Sequence, residues 1–109
     1  MNKEFAHHVQ LLFKNMDFGK NDLMHAAIGI SGEAGELLDA MKKNWVYNKP
    51  LDYDNIVEEL GDLEFYMEAL RQQLDISREE TLKENIKKLS KRYPHGYTDQ
   101  AAQERLDKA

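Results

Sequence analysis

The chain has 109 residues, 32% of them charged and 41% hydrophobic, with a net charge of −5 and no cysteine. That length suits one domain, residues 1–109. The composition is that of a globular protein, not a disordered one. Disulfide frameworks and thiolate metal sites are excluded, general nucleic-acid binding is disfavoured by the acidic balance, and no apolar run approaches the roughly 18 residues that span a bilayer. The start, Met1-Asn2-Lys3-Glu4, lacks the basic-then-apolar order of a signal peptide. The expectation is a cytoplasmic protein with no membrane and no nucleic-acid partner.

Helical periodicity runs through the chain, and no stretch alternates with period two. A first helix is predicted over about residues 2–16, where Phe5, Val9, Leu12 and Met16 form one apolar stripe. Asp17-Phe18-Gly19-Lys20-Asn21 reads as a turn. A second helix spans about residues 22–44, with Leu23, Ala27, Ile30, Ala34, Leu37 and Met41 as its core stripe. At about 100° per residue, Glu33 and Glu36 fall to one side of that stripe, on a face shared with the small residues Ala26, Gly29 and Ala40. A polar connection containing Trp45, Tyr47 and Pro50 follows.

A third helix is predicted over about residues 54–74, with Ile56, Leu60, Leu63, Met67, Leu70 and Leu74 inward. Glu59 and Asp62 flank this stripe in the same rotational sense as the first acidic pair. In an antiparallel pair with facing apolar stripes, side stripes of equal sense emerge together, and a short connection favours that arrangement. All four carboxylates are then expected to converge. Gathered carboxylates repel, and protonation or a divalent cation relieves them.

Ser77-Arg78-Glu79-Glu80 fits a capping box opening a fourth helix, which Pro94-His95-Gly96 ends. Leu82, Ile86, Leu89 and Tyr93 are its apolar stripe, and Thr81, Asn85, Lys88 and Arg92 form a polar, basic side. A short helix over about residues 98–108 closes the chain. The expected fold is all-α: an antiparallel bundle of four main helices plus a short C-terminal one, completed by self-association because a core in so short a chain is modest.

Acids for a hard cation and bases for phosphates together point to metal-assisted hydrolysis of a nucleotide. Each acidic pair alone is what a solvated helix face commonly shows; the argument rests on their combination. Glu33-x-x-Glu36, then 22 residues (37–58), then Glu59-x-x-Asp62 resembles the signature of the MazG-like all-α nucleoside triphosphate pyrophosphohydrolases. The surrounding Ile30-Ser31-Gly32-Glu33-Ala34-Gly35-Glu36-Leu37 and Glu58-Glu59-Leu60-Gly61-Asp62-Leu63 fit it, as does the later run from Asn85 to Tyr97.

The resemblance implies hydrolysis of a nucleoside triphosphate, a deoxynucleotide or modified nucleotide included, to the monophosphate and pyrophosphate. It implies magnesium, with manganese able to substitute, and a homodimer or homotetramer. Glu33, Glu36, Glu59 and Asp62 would be the metal-binding catalytic residues; Asn85, Lys88, Arg92 and Tyr93 would contact substrate. Trp45 is a candidate for stacking on a base or for packing. Tyr66, one turn after Asp62, is a candidate support for the ligands, His25 a structural histidine, and His7 and His8 surface or interface residues. The chain departs from many relatives at Gly32, where they carry a further acid. A di-iron carboxylate bundle is disfavoured, since such bundles use two Glu-x-x-His pairs and this chain has one, Glu4-Phe5-Ala6-His7, outside both acidic pairs. The alternative from another class is a non-catalytic protein that senses nucleotides on the same scaffold.

Overall fold

The computed structural model describes residues 3–14, 22–96 and 99–104. Met16, the turn expected at residues 17–21, Tyr97 and the ends of the C-terminal helix lie outside them. The described residues form five helices: α1 (Lys3–Lys14), α2 (Asp22–Trp45), α3 (Tyr53–Leu74), α4 (Arg78–Arg92) and the short α5 (Asp99–Glu104). No named strand occurs among them; Pro94 and Gly96 form an isolated bridge. The all-α expectation is met, with boundaries close to those read from periodicity. None of these helices is long and apolar enough to cross a membrane.

Local chemistry sets the helix ends. Asp52 caps α3 by accepting from the Asn55 amide at 3.2 Å. Asp75 ends that helix in the left-handed region, φ 56°, its amide donating to the carbonyls of Arg71 and Gln72. The Ser77 hydroxyl accepts from the Glu80 amide at 3.0 Å, as the capping motif requires. Beyond α4, Gly96 adopts φ +90°, which favours glycine, and its amide donates to the Tyr93 carbonyl at 3.2 Å.

The chain divides into two compact units, Met1–Asp75 and Ile76–Ala109. In the first, Gly29 of α2 meets Tyr66 of α3, whereas Glu33, one turn further on, meets Glu59 and Asp62. Partners on α3 thus come earlier as α2 advances, so the two helices run in opposite directions. Val9 and Phe13 of α1, Ala26 of α2 and Ala69 of α3 are the buried core, with Phe5, Phe65, Tyr66 and Leu70 packed against it.

This core differs from the predicted one in rotation. On α1, Phe13 is buried and Leu12 is exposed. On α2 the small side stripe supplies the buried residues, Ala26 and Ala40, while Leu23 and Met41 of the expected core stripe are exposed. On α3, Ala69 is buried and Leu60 and Leu74 are exposed. The physical reason is steric: alanine and glycine let two helices approach more closely than a Leu-on-Leu seam does. The second unit contains α4 and α5. No residue of α4 is buried, and its Leu82, Ile86 and Leu89 are exposed.

A polar clasp fixes α1 to α3. Glu68 is buried and accepts from Arg71 Nε at 3.0 Å and from Gln72 Nε2 at 2.9 Å. Gln72 Nε2 also donates to the Ala6 carbonyl of α1 at 2.8 Å. Because Arg71 is itself largely covered and its other acid, Glu64, stands at 3.9 Å, removing Glu68 leaves this cation weakly paired in a poorly solvated position. Glu68→Ala should therefore lower unfolding stability by about 3 kcal/mol. Chemical denaturation checks this, and a loss below about 1 kcal/mol, the usual worth of a surface pair, would contradict the clasp.

Candidate metal centre and active site

The close approach of α2 and α3 brings acids into one cluster. Carboxylate oxygens of Glu33, Glu59 and Asp62 lie within 4.8 Å of one another. Their exposure is graded: Glu59 is buried, Glu33 half-buried and Asp62 exposed. The cluster therefore has a covered floor and a solvent-facing rim. Glu36 is exposed and stands beside the trio, close enough for its side chain to interact with both Glu33 and Glu59. The expected convergence is thus a tight trio with a fourth acid beside it.

Electrostatics shows the strain of this arrangement. Glu59 is pushed up to about 7, first by burial, then by hydrogen bonding with Glu33 and Glu36 and by their negative charge. Glu33 is also raised, chiefly by burial, with added repulsion from Glu36 and Asp62 and a partly offsetting hydrogen bond with Glu59. One oxygen on each, Oε2 of Glu33 and Oε2 of Glu59, is buried without a hydrogen-bond partner. Buried carboxylate oxygens are ordinarily satisfied. Hard oxygen donors with two unsatisfied lone-pair sites turned inward are a fitting ligand set for a divalent cation.

A cavity of about 470 Å³ adjoins the cluster. Glu33, Gly61 and Asp62 form one side of it, and Phe5, His8, Leu12, Phe65 and Tyr66 the rest. The aromatic walls brace each other: the rings of Phe65 and Tyr66 are perpendicular at 5.2 Å, and His8 meets Phe65 edge-on at 6.1 Å. His25 is not a wall. It stacks on Phe13 at 5.0 Å and meets Tyr66 edge-on at 5.9 Å, a packing position.

A family model, the MazG nucleotide pyrophosphohydrolase domain, matches residues 22–97. The chain belongs to this MazG family. No curated protein and no solved structure shows a significant match. The MazG match spans both acidic pairs and the run from Asn85 to Tyr97.

Other residues proposed from the MazG resemblance lie as follows. Asn85 and Lys88 are exposed on α4; Arg92, its last residue, and Tyr93, its cap, are half-buried, with the Arg92 guanidinium over the Tyr93 ring at 5.8 Å. Trp45 ends α2 and is 84% exposed. It stands 12 residues beyond Glu33 on the same helix, roughly 18 Å along the axis. Sequence reasoning missed the cavity walls Phe5, His8, Leu12 and Phe65. Phe5, His8 and Leu12 recur at i, i+3 and i+7 on α1, a visible signal that reads equally well as core.

The raised pKa of Glu59 makes a pH prediction for this MazG domain. Glu59 holds its proton more tightly in the folded than in the unfolded chain. Its contribution therefore favours the metal-free fold most at low pH and is lost as pH rises from the ordinary carboxylate range to about 7. In EDTA, Tm should fall over that window, Glu59→Gln should flatten the fall, and a saturating divalent cation should reverse it. A Glu59→Gln protein with the wild-type pH profile would refute this assignment.

Proposed function

We propose that this chain hydrolyses a nucleoside triphosphate to the nucleoside monophosphate and pyrophosphate, using magnesium, for which manganese can substitute. One observation carries the reading: three carboxylates gathered within 4.8 Å, two of them bearing buried unpartnered oxygens, inside a MazG match. Glu33, Glu59 and Asp62 would hold the cation, with Glu36 as the neighbouring acid that completes the set. When bound, magnesium polarises phosphoryl oxygen and promotes ionisation of water. In the balanced reaction, water oxygen bonds to the α-phosphorus and gives up a proton to solvent, the α–β anhydride bond breaks and pyrophosphate leaves with the bonding electron pair.

The aromatic cavity beside Glu33 and Asp62 is the proposed seat of the nucleoside. Its walls offer ring faces and, apart from His8, no cationic group, so they suit a base better than a phosphate. The motif resemblance supports Asn85, Lys88, Arg92 and Tyr93 as substrate contacts, the two cations being suited to phosphate.

We further propose a helical bundle completed by self-association, as a homodimer or homotetramer. Leu23, Met24, Ile28, Leu38 and Met41 leave much of α2 apolar and exposed, and Val57 and Leu60 do the same on α3. A substrate contact by Trp45 would then be made in a second copy, given its distance from the acids on its own helix. A cysteine-free chain is at home in the cytoplasm, where its substrate would be found.

The decisive experiment is a screen of canonical and modified triphosphates with magnesium, with the products identified. Pyrophosphate and a monophosphate are expected, in equal amounts. Glu59→Gln and Asp62→Asn should each lower kcat at least ~100-fold while the circular dichroism stays that of the wild type. Tight nucleotide binding without turnover across the panel would instead make the protein a nucleotide sensor. Release of orthophosphate would move the cleavage to a different bond.

A further inference from the structure

Gly29 stands one turn before Glu33 on α2, and Tyr66 one turn after Asp62 on α3. In this layer the Tyr66 ring lies against the bare backbone of α2. A Cβ on residue 29 would lie 2.5 Å from ring atoms Cε1 and Cγ and closer still to Cδ1. No other described glycine is crowded: a Cβ at Gly32, Gly35, Gly61 or Gly96 meets nothing within 4 Å. The Tyr66 ring is also a wall of the cavity that Glu33 and Asp62 border.

A larger residue at 29 leaves two ways out: the helices separate, or the ring moves. Separation is resisted because Ala26 and Ala69, each at most 1% exposed, belong to the same packed core as Val9 and Phe13. The ring faces open cavity and turns by changing side-chain torsions alone. It is the softer element, and the space available to it is the cavity.

We propose that Gly29 is a positioning residue that holds the cavity open: by letting Tyr66 lie on α2, it leaves room beside the carboxylates for the planar base of a nucleotide. This inference rests on the pyrophosphohydrolase reading for the identity of the ligand, whereas the seating of Tyr66 stands independently of turnover. With alanine at 29 the ring swings into the cavity, so base binding weakens while the carboxylate trio keeps its cation.

The test uses the full chain with 3-fluorotyrosine in place of tyrosine, the Tyr66 fluorine resonance being assigned with Tyr66→Phe. Gly29→Ala should shift that resonance. Calorimetry with a panel of α,β-imido nucleoside triphosphates in magnesium should show Kd raised about tenfold for the tightest-binding analogue. Manganese binding without nucleotide should stay within about twofold. For the best hydrolysable substrate KM should rise with little change in kcat. In a Tyr66→Ala background, Gly29→Ala should cost nothing further, since the added methyl then meets no ring.

An unmoved resonance, an unchanged Kd or an equal loss in the Tyr66→Ala background would each overturn the proposal. If Gly29→Ala fails to fold but Gly29→Ala with Tyr66→Ala folds, the ring has not yielded into the cavity and the proposal is overturned; failure of both places the conflict elsewhere and overturns it too. A wild-type chain that binds the analogues but hydrolyses no triphosphate sinks the enzymatic reading and leaves this one standing on Kd. One that binds no analogue sinks the base-admitting role.

Discussion

Close approach of α2 and α3 along a seam of small residues is the constraint on which the first unit depends. Ala26, Gly29 and Ala69 contribute almost no side-chain bulk, so Tyr66 can rest on the α2 backbone and Glu33 can reach Glu59 and Asp62. A Leu-on-Leu seam would hold the axes further apart. The same seam that supplies packing therefore concentrates negative charge, and the two effects oppose each other. Burial raises Glu59 and Glu33 because the fold must either keep a proton there or leave charge poorly solvated. A cation would resolve that conflict, and the stability of this unit would then depend on occupancy of its site.

The sequence was most legible where one periodicity dominated. Helix ends were marked by Ser77 and Gly96, whose chemistry acts within a few residues, whereas the Asp52 cap went unread. The convergence of acids was legible in outcome, since both pairs share one rotational sense, although the faces that meet are the small-residue side stripes and not the apolar ones. Which face packs inward was not legible. Leu23, Met41 and Leu60 look like core by hydrophobicity alone, yet they are exposed, while Ala26, Ala69 and Glu59 are inside. Hydrophobic spacing reports that a face will be covered by something. It does not report by which surface, and when a helix has one small face and one large apolar face, two partners are possible.

The cavity was illegible for a related reason. Phe5, His8 and Leu12 come from α1, and Phe65 and Tyr66 from α3. Their meeting depends on the crossing of two helices far apart in sequence, held by the bond from Gln72 to the Ala6 carbonyl. Aromatic residues that line an opening and aromatic residues that fill a core have the same spacing on a helix. The open space at Gly32 makes a complementary point. A Cβ there would meet nothing within 4 Å, so there is room at this position for a side chain larger than hydrogen.

The exposed apolar faces and the acidic seam lie on the same two helices, and their separation around each helix has a consequence. Exposed leucines and methionines on α2 can be covered by a second surface without that surface entering the seam, where Glu59 is already closed off from water. Association on those faces would stiffen α2 and α3 from the side opposite their charge. It would restrain the separation that repulsion among Glu33, Glu36, Glu59 and Asp62 favours. Burial of apolar area outside the site and capture of a cation inside it would act on one coordinate, the distance between the two helices. Each would then favour the other through linkage, since both bind the closed seam better than a loosened one.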